Sequence, residues 1–322
     1  MCVSAHASWC GQKDEEKSEE GVQMQYQFTV PENKRIRVII SSDAKNEADD
    51  QYAITHALMT PKFKVRGIVA THFAHVRPEG TMDESYAEVK KVLQLMGRED
   101  QCGVFKGAEG ALPDEKTPGV SEGAQFIIDE AMKTDALPLY AIFIGALTDL
   151  ASAYLMEPRI AENMIAIWVG GGTYPDGHPE FNLMNDVHAA NVVFKSTIPL
   201  WQVPVDVCSI MKVSFAELQY NVRPCGQIGQ YLFEQMMEVA KRGPSGCESW
   251  IMWDSSAIGL LMDEHAYQYD MKAAPSFTTE MNYLHNTENR PIRVYRQIDS
   301  RFIFEDFFCK LAMNYPINAK HL

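Results

Sequence analysis

The chain has 322 residues, 46% of them hydrophobic, and a formal charge of −14 from 43 acidic side chains against 29 Lys and Arg. That composition suits one large α/β domain, and an acidic balance without basic stripes excludes a polyanion-binding surface, so the expected partner is a small molecule and not a nucleic acid polymer. Seven scattered cysteines without a CxxC pair read as free thiols; with no apolar run of about eighteen residues and no basic-then-apolar leader, a cytoplasmic protein without a membrane span is expected.

Residues 1–25 carry the charge run from Gln12 to Gly21 and are expected to form a disordered tail, with a single domain over residues 26–322. From Tyr26 onward, short β-rich runs alternate with longer amphipathic ones. Arg37–Ile40 precedes a helix over Asp49–Thr60, Val65–Ala70 precedes Glu84–Met96, Gly103–Lys106 precedes Ser121–Met132, and Leu139–Ile144 precedes Thr148–Met156. Ala166–Val169 is followed by Asp186–Phe194, and Leu200–Val203 by a helix-rich C-terminal third. The alternation predicts an α/β fold: an open, mostly parallel sheet with helices on both faces and functional loops after the strand C-termini.

The first such loop, Ser41 to Asp50, brings Asp43, Asp49 and Asp50 within eight residues. Carboxylates so close repel one another unless a cation or strong hydrogen bonds neutralise them, which points to a metal site; the alternative is a helix cap at Asp49 or Asp50 beside a solvated Asp43. The partial positive charge at the start of the next helix favours ionised carboxylates there. A second constellation runs from Gly170 to Asp186. Its glycine triple lacks the GxGxxG spacing and a following Lys-Ser/Thr, so it reads as a tight turn and not a phosphate cradle. Two residues apart, Glu180 and Asn182 would project to one side of an extended backbone and suit sugar hydroxyls, or they are a polar loop before a helix capped by Asp186.

In order, the acidic loop, Gly145-Ala146-Leu147-Thr148-Asp149-Leu150, the glycine triple with Glu180-Phe181-Asn182 and Asp186, and Trp253-Asp254 resemble the calcium-dependent nucleoside hydrolases of the inosine–uridine-preferring superfamily. The resemblance covers most of Ile36 to Asp254 and implies a Rossmann-like sheet, hydrolysis of the N-glycosidic bond of ribonucleosides, a Ca2+ cofactor and a homodimer or homotetramer. It further implies that Asp43 ligates calcium and takes a proton from the attacking water, that Asp50, Asp254 and the Thr148 carbonyl complete the ligands, and that Asp49, Glu180 and Asn182 bind ribose. Trp253 stands where inosine–uridine-type members carry a His and purine-specific members a Trp, which implies stacking on a purine and a purine-nucleoside preference.

This chain departs from the family pattern in several places. Ser41 replaces the first Asp of Asp-x-Asp, and five residues instead of three separate Asp43 from Asp49, which makes Asn46 and Glu47 candidates for ligand or ribose contacts. His72 aligns with a family Asn, and Tyr174 or Asp176 is the nearest polar candidate for a second one. His178, in the loop before Glu180, is a candidate to approach substrate, whereas His188, His265 and His285 read as structural or exposed. No nucleophile elbow supports covalent catalysis, and Lys45 stands where an aspartate phosphatase needs its second Asp. The competing class is a non-catalytic calcium- or sugar-binding relative.

Overall fold

The structure, a computed structural model, describes residues 26–242, 248–263 and 267–315. The expected tail over residues 1–25 and His265 therefore lie outside the described residues. Among the described residues, twelve strands and eleven α-helices occur in chain order. The strands are β1 (Ile36–Ser42), β2 (Phe63–Ala70), β3 (Gly103–Lys106), β4 (Leu139–Ile144), β5 (Met164–Val169), β6 (Leu200–Val203), β7 (Lys212–Ser214), β8 (Ser249–Ile251), β9 (Gln268–Ala273), β10 (Ser276–Phe277), β11 (Tyr283–Leu284) and β12 (Pro291–Gln297). The helices are α1 (Asp50–Met59), α2 (Thr81–Met96), α3 (Glu122–Ala131), α4 (Thr148–Met156), α5 (Phe181–Asn185), α6 (Val187–Lys195), α7 (Val205–Cys208), α8 (Phe215–Asn221), α9 (Gly226–Ala240), α10 (Ser255–Met262) and α11 (Ser300–Asn314).

Eight strands form one sheet in the order β3-β2-β1-β4-β5-β6-β12-β9, parallel throughout except for the antiparallel edge pair β12–β9. All seven residues of β1 are buried, as in a strand covered on both faces. Alternate residues serve different cores: Val38 and Ile40 pack with α1, α2, α9, α10 and α11, while Ile39 packs with α3, α4 and α6 on the other face. The C-terminal third, expected to be helix-rich, also supplies β9 and β12, which extend the sheet. β9, at the edge, has no buried residue, and β12 beside it is exposed at both ends, unlike the doubly covered strands of the sheet's centre.

The strand order reverses between β1 and β4, since the chain leaves β1 toward β2 and β3 but leaves β4 toward β5 and β6. Loops diverge there at the C-terminal edge, opening the crevice in which open α/β sheets bind ligands. Asp43 follows β1 at this point and Gly145 follows β4. The two segments touch: a Cβ on Gly145 would lie 3.0 Å from Asp43 Oδ1 and 2.8 Å from Thr71 Cγ2.

Candidate active site

A cavity of about 250 Å³ opens at this crevice. The acidic loop supplies Asp43, Asn46, Glu47, Asp49 and Asp50, and Asp254 closes the ring from the start of α10. Asp43, Asp49, Asp50 and Asp254 are each at most 5% exposed, so the reading of Asp43 as a solvated loop residue is overturned. Asp49 occupies the position before α1, but its side chain makes no cap bond; Oδ2 instead accepts the backbone N–H of Asp254 at 3.2 Å. Ser42 Oγ donates to Asp50 Oδ1 at 2.6 Å. Oxygen atoms of Asp49, Asp50 and Asp254 all lie within 4.8 Å of one another, a grouping that could hold a metal ion.

No Lys, Arg or His side chain lines this cavity among the described residues. Lys45, the loop's own cation, is exposed and paired with Glu88 at 3.2 Å. Uncompensated burial raises every acid in the ring. Burial, then the charge of Asp50, holds Asp43 well above the usual carboxylate range, and burial, then Asp49 and Asp50, does the same to Asp254. Burial with Asp49 beside them lifts Glu47 and Asp50 each to about 8, while Asp49 reaches about 6 because backbone N–H groups oppose its burial. Asp43 Oδ2 and Glu47 Oε2 are buried without a hydrogen-bond partner among the described residues. A ring of buried acids with orphaned oxygens must stay protonated or take in a cation.

The glycine segment closes the other side. Gly171 turns with φ of 86°, and its N–H donates to Glu180 Oε2 at 2.7 Å, so a carboxylate occupies the place a phosphate would. Glu180 caps α5, accepting the N–H groups of Asn182 and Leu183 at 3.0 Å each. Asn182 is therefore helical and not in an extended run, yet Glu180 and Asn182 both line the cavity because cap and first turn face the same way. Asn182 Nδ2 donates to the Val169 carbonyl at the end of β5, at 2.8 Å. Trp253 is half-buried on the cavity wall, set edge-to-face against Trp250 at 6.4 Å.

Thr148 and four polar candidates are not brought to the cavity. Thr148 begins α4; its carbonyl accepts Ser152 Oγ at 2.7 Å, and its hydroxyl donates to Asp186 Oδ2 at 2.8 Å. That corrects the implied Thr148 carbonyl ligand, and the residue of β4 that borders the cavity is Ile144. His72 lies behind the site, 2.8 Å from Thr148 Oγ1, and burial lowers its pKa to about 4. With Nδ1 accepting the Ala74 N–H, its Nε2–H is the donor to Thr148. Tyr174 bonds Gln202 at 2.8 Å and packs on Tyr283; Asp176 offers its backbone carbonyl to Tyr283; His178 is exposed, with Nδ1 3.0 Å from the Pro179 carbonyl. Sequence reasoning missed Ile144 and Cys208 on the cavity wall; for Ile144 the available signal was its place at a strand C-terminus.

The model of the family described as inosine-uridine preferring nucleoside hydrolase matches residues 38–305. A curated relative, the pyrimidine-specific ribonucleoside hydrolase RihB of Escherichia coli strain K12 / DH10B, is 33% identical over 150 residues, which are 44% of this chain and 47% of that protein. The chain spans about half the length of the curated relatives it matches, from 47% to 61%. Among solved structures, a purine-preferring ribonucleoside hydrolase from Gardnerella vaginalis matches with a TM-score of 0.71 at 17% identity, over 86% of this chain and 98% of that one. An inosine-uridine preferring nucleoside hydrolase from Bacillus anthracis matches with a TM-score of 0.65 at 15% identity, over 86% and 99% of the two chains. These structures share the fold. Because the family model runs from within β1 into α11, through every strand of the large sheet, the chain belongs to the inosine-uridine preferring nucleoside hydrolase family.

Proposed function

We propose that this chain hydrolyses the N-glycosidic bond of ribonucleosides, giving ribose and a free base, with one calcium ion bound in the acidic cavity and purine nucleosides favoured. The observation that carries the reading is the buried ring of acids at the sheet's reversal point, lined by no cationic side chain and with Asp43 Oδ2 orphaned among the described residues. All-oxygen donors fit a hard cation, and Asp50 and Asp254, with Asp43 and Asp49 beside them, are the residues that would hold it. Bound there, calcium would supply the positive charge that positions and acidifies the attacking water.

Asp43 takes the water's proton, having an oxygen without a hydrogen-bond partner among the described residues. As the base departs, C1′ becomes oxocarbenium-like, and the surrounding carboxylates stabilise the growing positive charge. Asp49, Glu180 and Asn182 bind ribose hydroxyls, the latter two held rigid by bonds to Gly171, Leu183 and Val169. Trp253 has no proton to give near neutrality, so its part is to stack on the base, and a purine offers the larger face. The relatives' names point both ways, pyrimidine-specific for the Escherichia coli protein and purine-preferring for the Gardnerella one; the purine reading rests on Trp253. Base release from inosine, adenosine and uridine, with and without chelator, tests the proposal. Calcium-dependent release that is faster for the purines is expected. Nucleoside binding without release would instead make the chain a calcium- and sugar-binding relative.

A further inference from the structure

Far from the acidic cavity, the large sheet ends at β9, which pairs with β12 on one side and with no other strand among the described residues. The Ala274 N–H donates to the Arg290 carbonyl at 2.9 Å, and the register continues as Ala273 opposite Pro291 and Lys272 opposite Ile292. Backbone groups alternate in direction along an antiparallel strand, so Ala274, Lys272 and Asp270 turn theirs toward β12. Tyr269, Met271 and Ala273 turn theirs to the free edge. Side chains add an apolar surface there, since Tyr269 is 38% exposed and Met271 59%.

Such an edge is a template for another strand, and folded proteins commonly blunt it with a lysine, a proline or a bulge. β9 carries Lys272, but Asp270 stands two residues before it on the same face, 3.8 Å away. Arg296 also approaches Asp270 at 3.8 Å, and Lys272 lies over the Tyr174 ring; these are long contacts between half-exposed groups and hold little. The run Asp270-Met271-Lys272 is its own complement when it runs antiparallel to itself. With a two-fold axis at Met271, Tyr269 faces Ala273 of the second copy and Asp270 faces Lys272, each pair occurring twice. An axis at Asp270 or at Lys272 would set that charge opposite its own copy, which destabilises a strand pair. An axis between two residues would set an outward-turned residue opposite an inward-turned one, which makes no ladder. Charge and backbone direction therefore agree on one register.

We propose that β9 pairs antiparallel with β9 of a second copy of this chain, in the register centred on Met271, so that two sheets continue as one across a two-fold axis. An edge pair of six residues is small among specific interfaces, so the dimer is reversible, with a Kd of about 1–100 μM. Analytical ultracentrifugation of the full chain across that range tests it. Asp270→Lys and Lys272→Asp should each weaken dimerisation at least about tenfold, because each sets like charges opposite one another twice. An equimolar mixture of the two variants should dimerise again, since Lys faces Asp at both places only in a mixed pair of this register; that result also shows that both variants fold. In hydrogen exchange, the amides of Tyr269, Met271 and Ala273 should gain protection as protein concentration rises. A wild-type chain still monomeric at about 300 μM, single variants that dimerise as the wild type does, or a mixture no tighter than its components overturns the proposal. Protection of those amides that is strong and independent of concentration overturns it too, because another part of the same chain would then cover the edge.

Discussion

At the scale of single residues, the site depends on where a few oxygen atoms are held. Asp43→Asn keeps an oxygen for the cation but cannot accept a proton, so turnover of inosine should fall by about 10²–10⁴ while calcium affinity, read by calorimetry, changes far less. Unchanged turnover would remove Asp43 from its role. Gly145 acts on Asp43 from behind: an added methyl meets Asp43 Oδ1 at 3.0 Å and Thr71 at 2.8 Å, so the carboxylate must move. Gly145→Ala should fold yet bind calcium at least several-fold more weakly, because ligand geometry is lost when supporting contacts shift. Trp253→Ala should slow inosine and adenosine more than uridine, by several-fold given about 0.5–1.5 kcal/mol for an aromatic contact. Equal losses on all three would point to a packing role only.

At the scale of elements, the acidic loop and α5 do different work with the same residue type. Asp49 stands before α1 yet turns its carboxylate to Asp254, whereas Glu180 spends both oxygens on backbone N–H groups and still borders the cavity. Asp186 is a cap of the ordinary kind that also reaches further. It accepts Ala189 N–H to start α6, Leu112 N–H from the loop after β3, and the Thr148 hydroxyl that opens α4. Asp186→Ala should therefore cost about 1–3 kcal/mol, since a cap is lost and buried donors are left unpaired. Denaturant unfolding should show a lower midpoint with an unchanged slope. A midpoint shift within error would mean that water replaces the carboxylate.

At the scale of the whole molecule, the buried acids tie stability to pH. Glu47 and Asp50 titrate near 8 in the folded chain against a usual carboxylate value of 4.5 or below, so the cation-free native state holds more protons than the unfolded state between those limits. Stability carried by a raised carboxylate is lost as pH rises toward the folded value. His72, neutral in the fold down to about 4 against an ordinary 6.5, acts in the opposite sense, but only below about 6.5. Chelator-treated protein should thus lose Tm steadily from pH 6.5 to 8, and excess calcium should raise Tm most at the upper end, where the acids are ionised and binding expels few protons. A Tm independent of pH in that window, with or without calcium, would be incompatible with an ion among these carboxylates.

The sequence alone determined the alternation of strands and helices, and with it the parallel sheet, because periodicity and strand-ending residues are local signals. It also marked Asp43, Asp49, Asp50, Glu180, Asn182, Trp253 and Asp254, whose spacing along the chain follows the loops of that sheet and which all reach one cavity. Tertiary structure decided the rest. Spacing could not tell that the Thr148 carbonyl runs down its own helix while Ile144 meets the cavity, since one turn of backbone separates a strand end from a helix start. Nor could it show His72 held behind the site, or Cys208 brought to the cavity wall. Which side of a loop faces inward is fixed by packing against distant elements, here α9 and α10 closing over the first loop, and no local pattern encodes that contact.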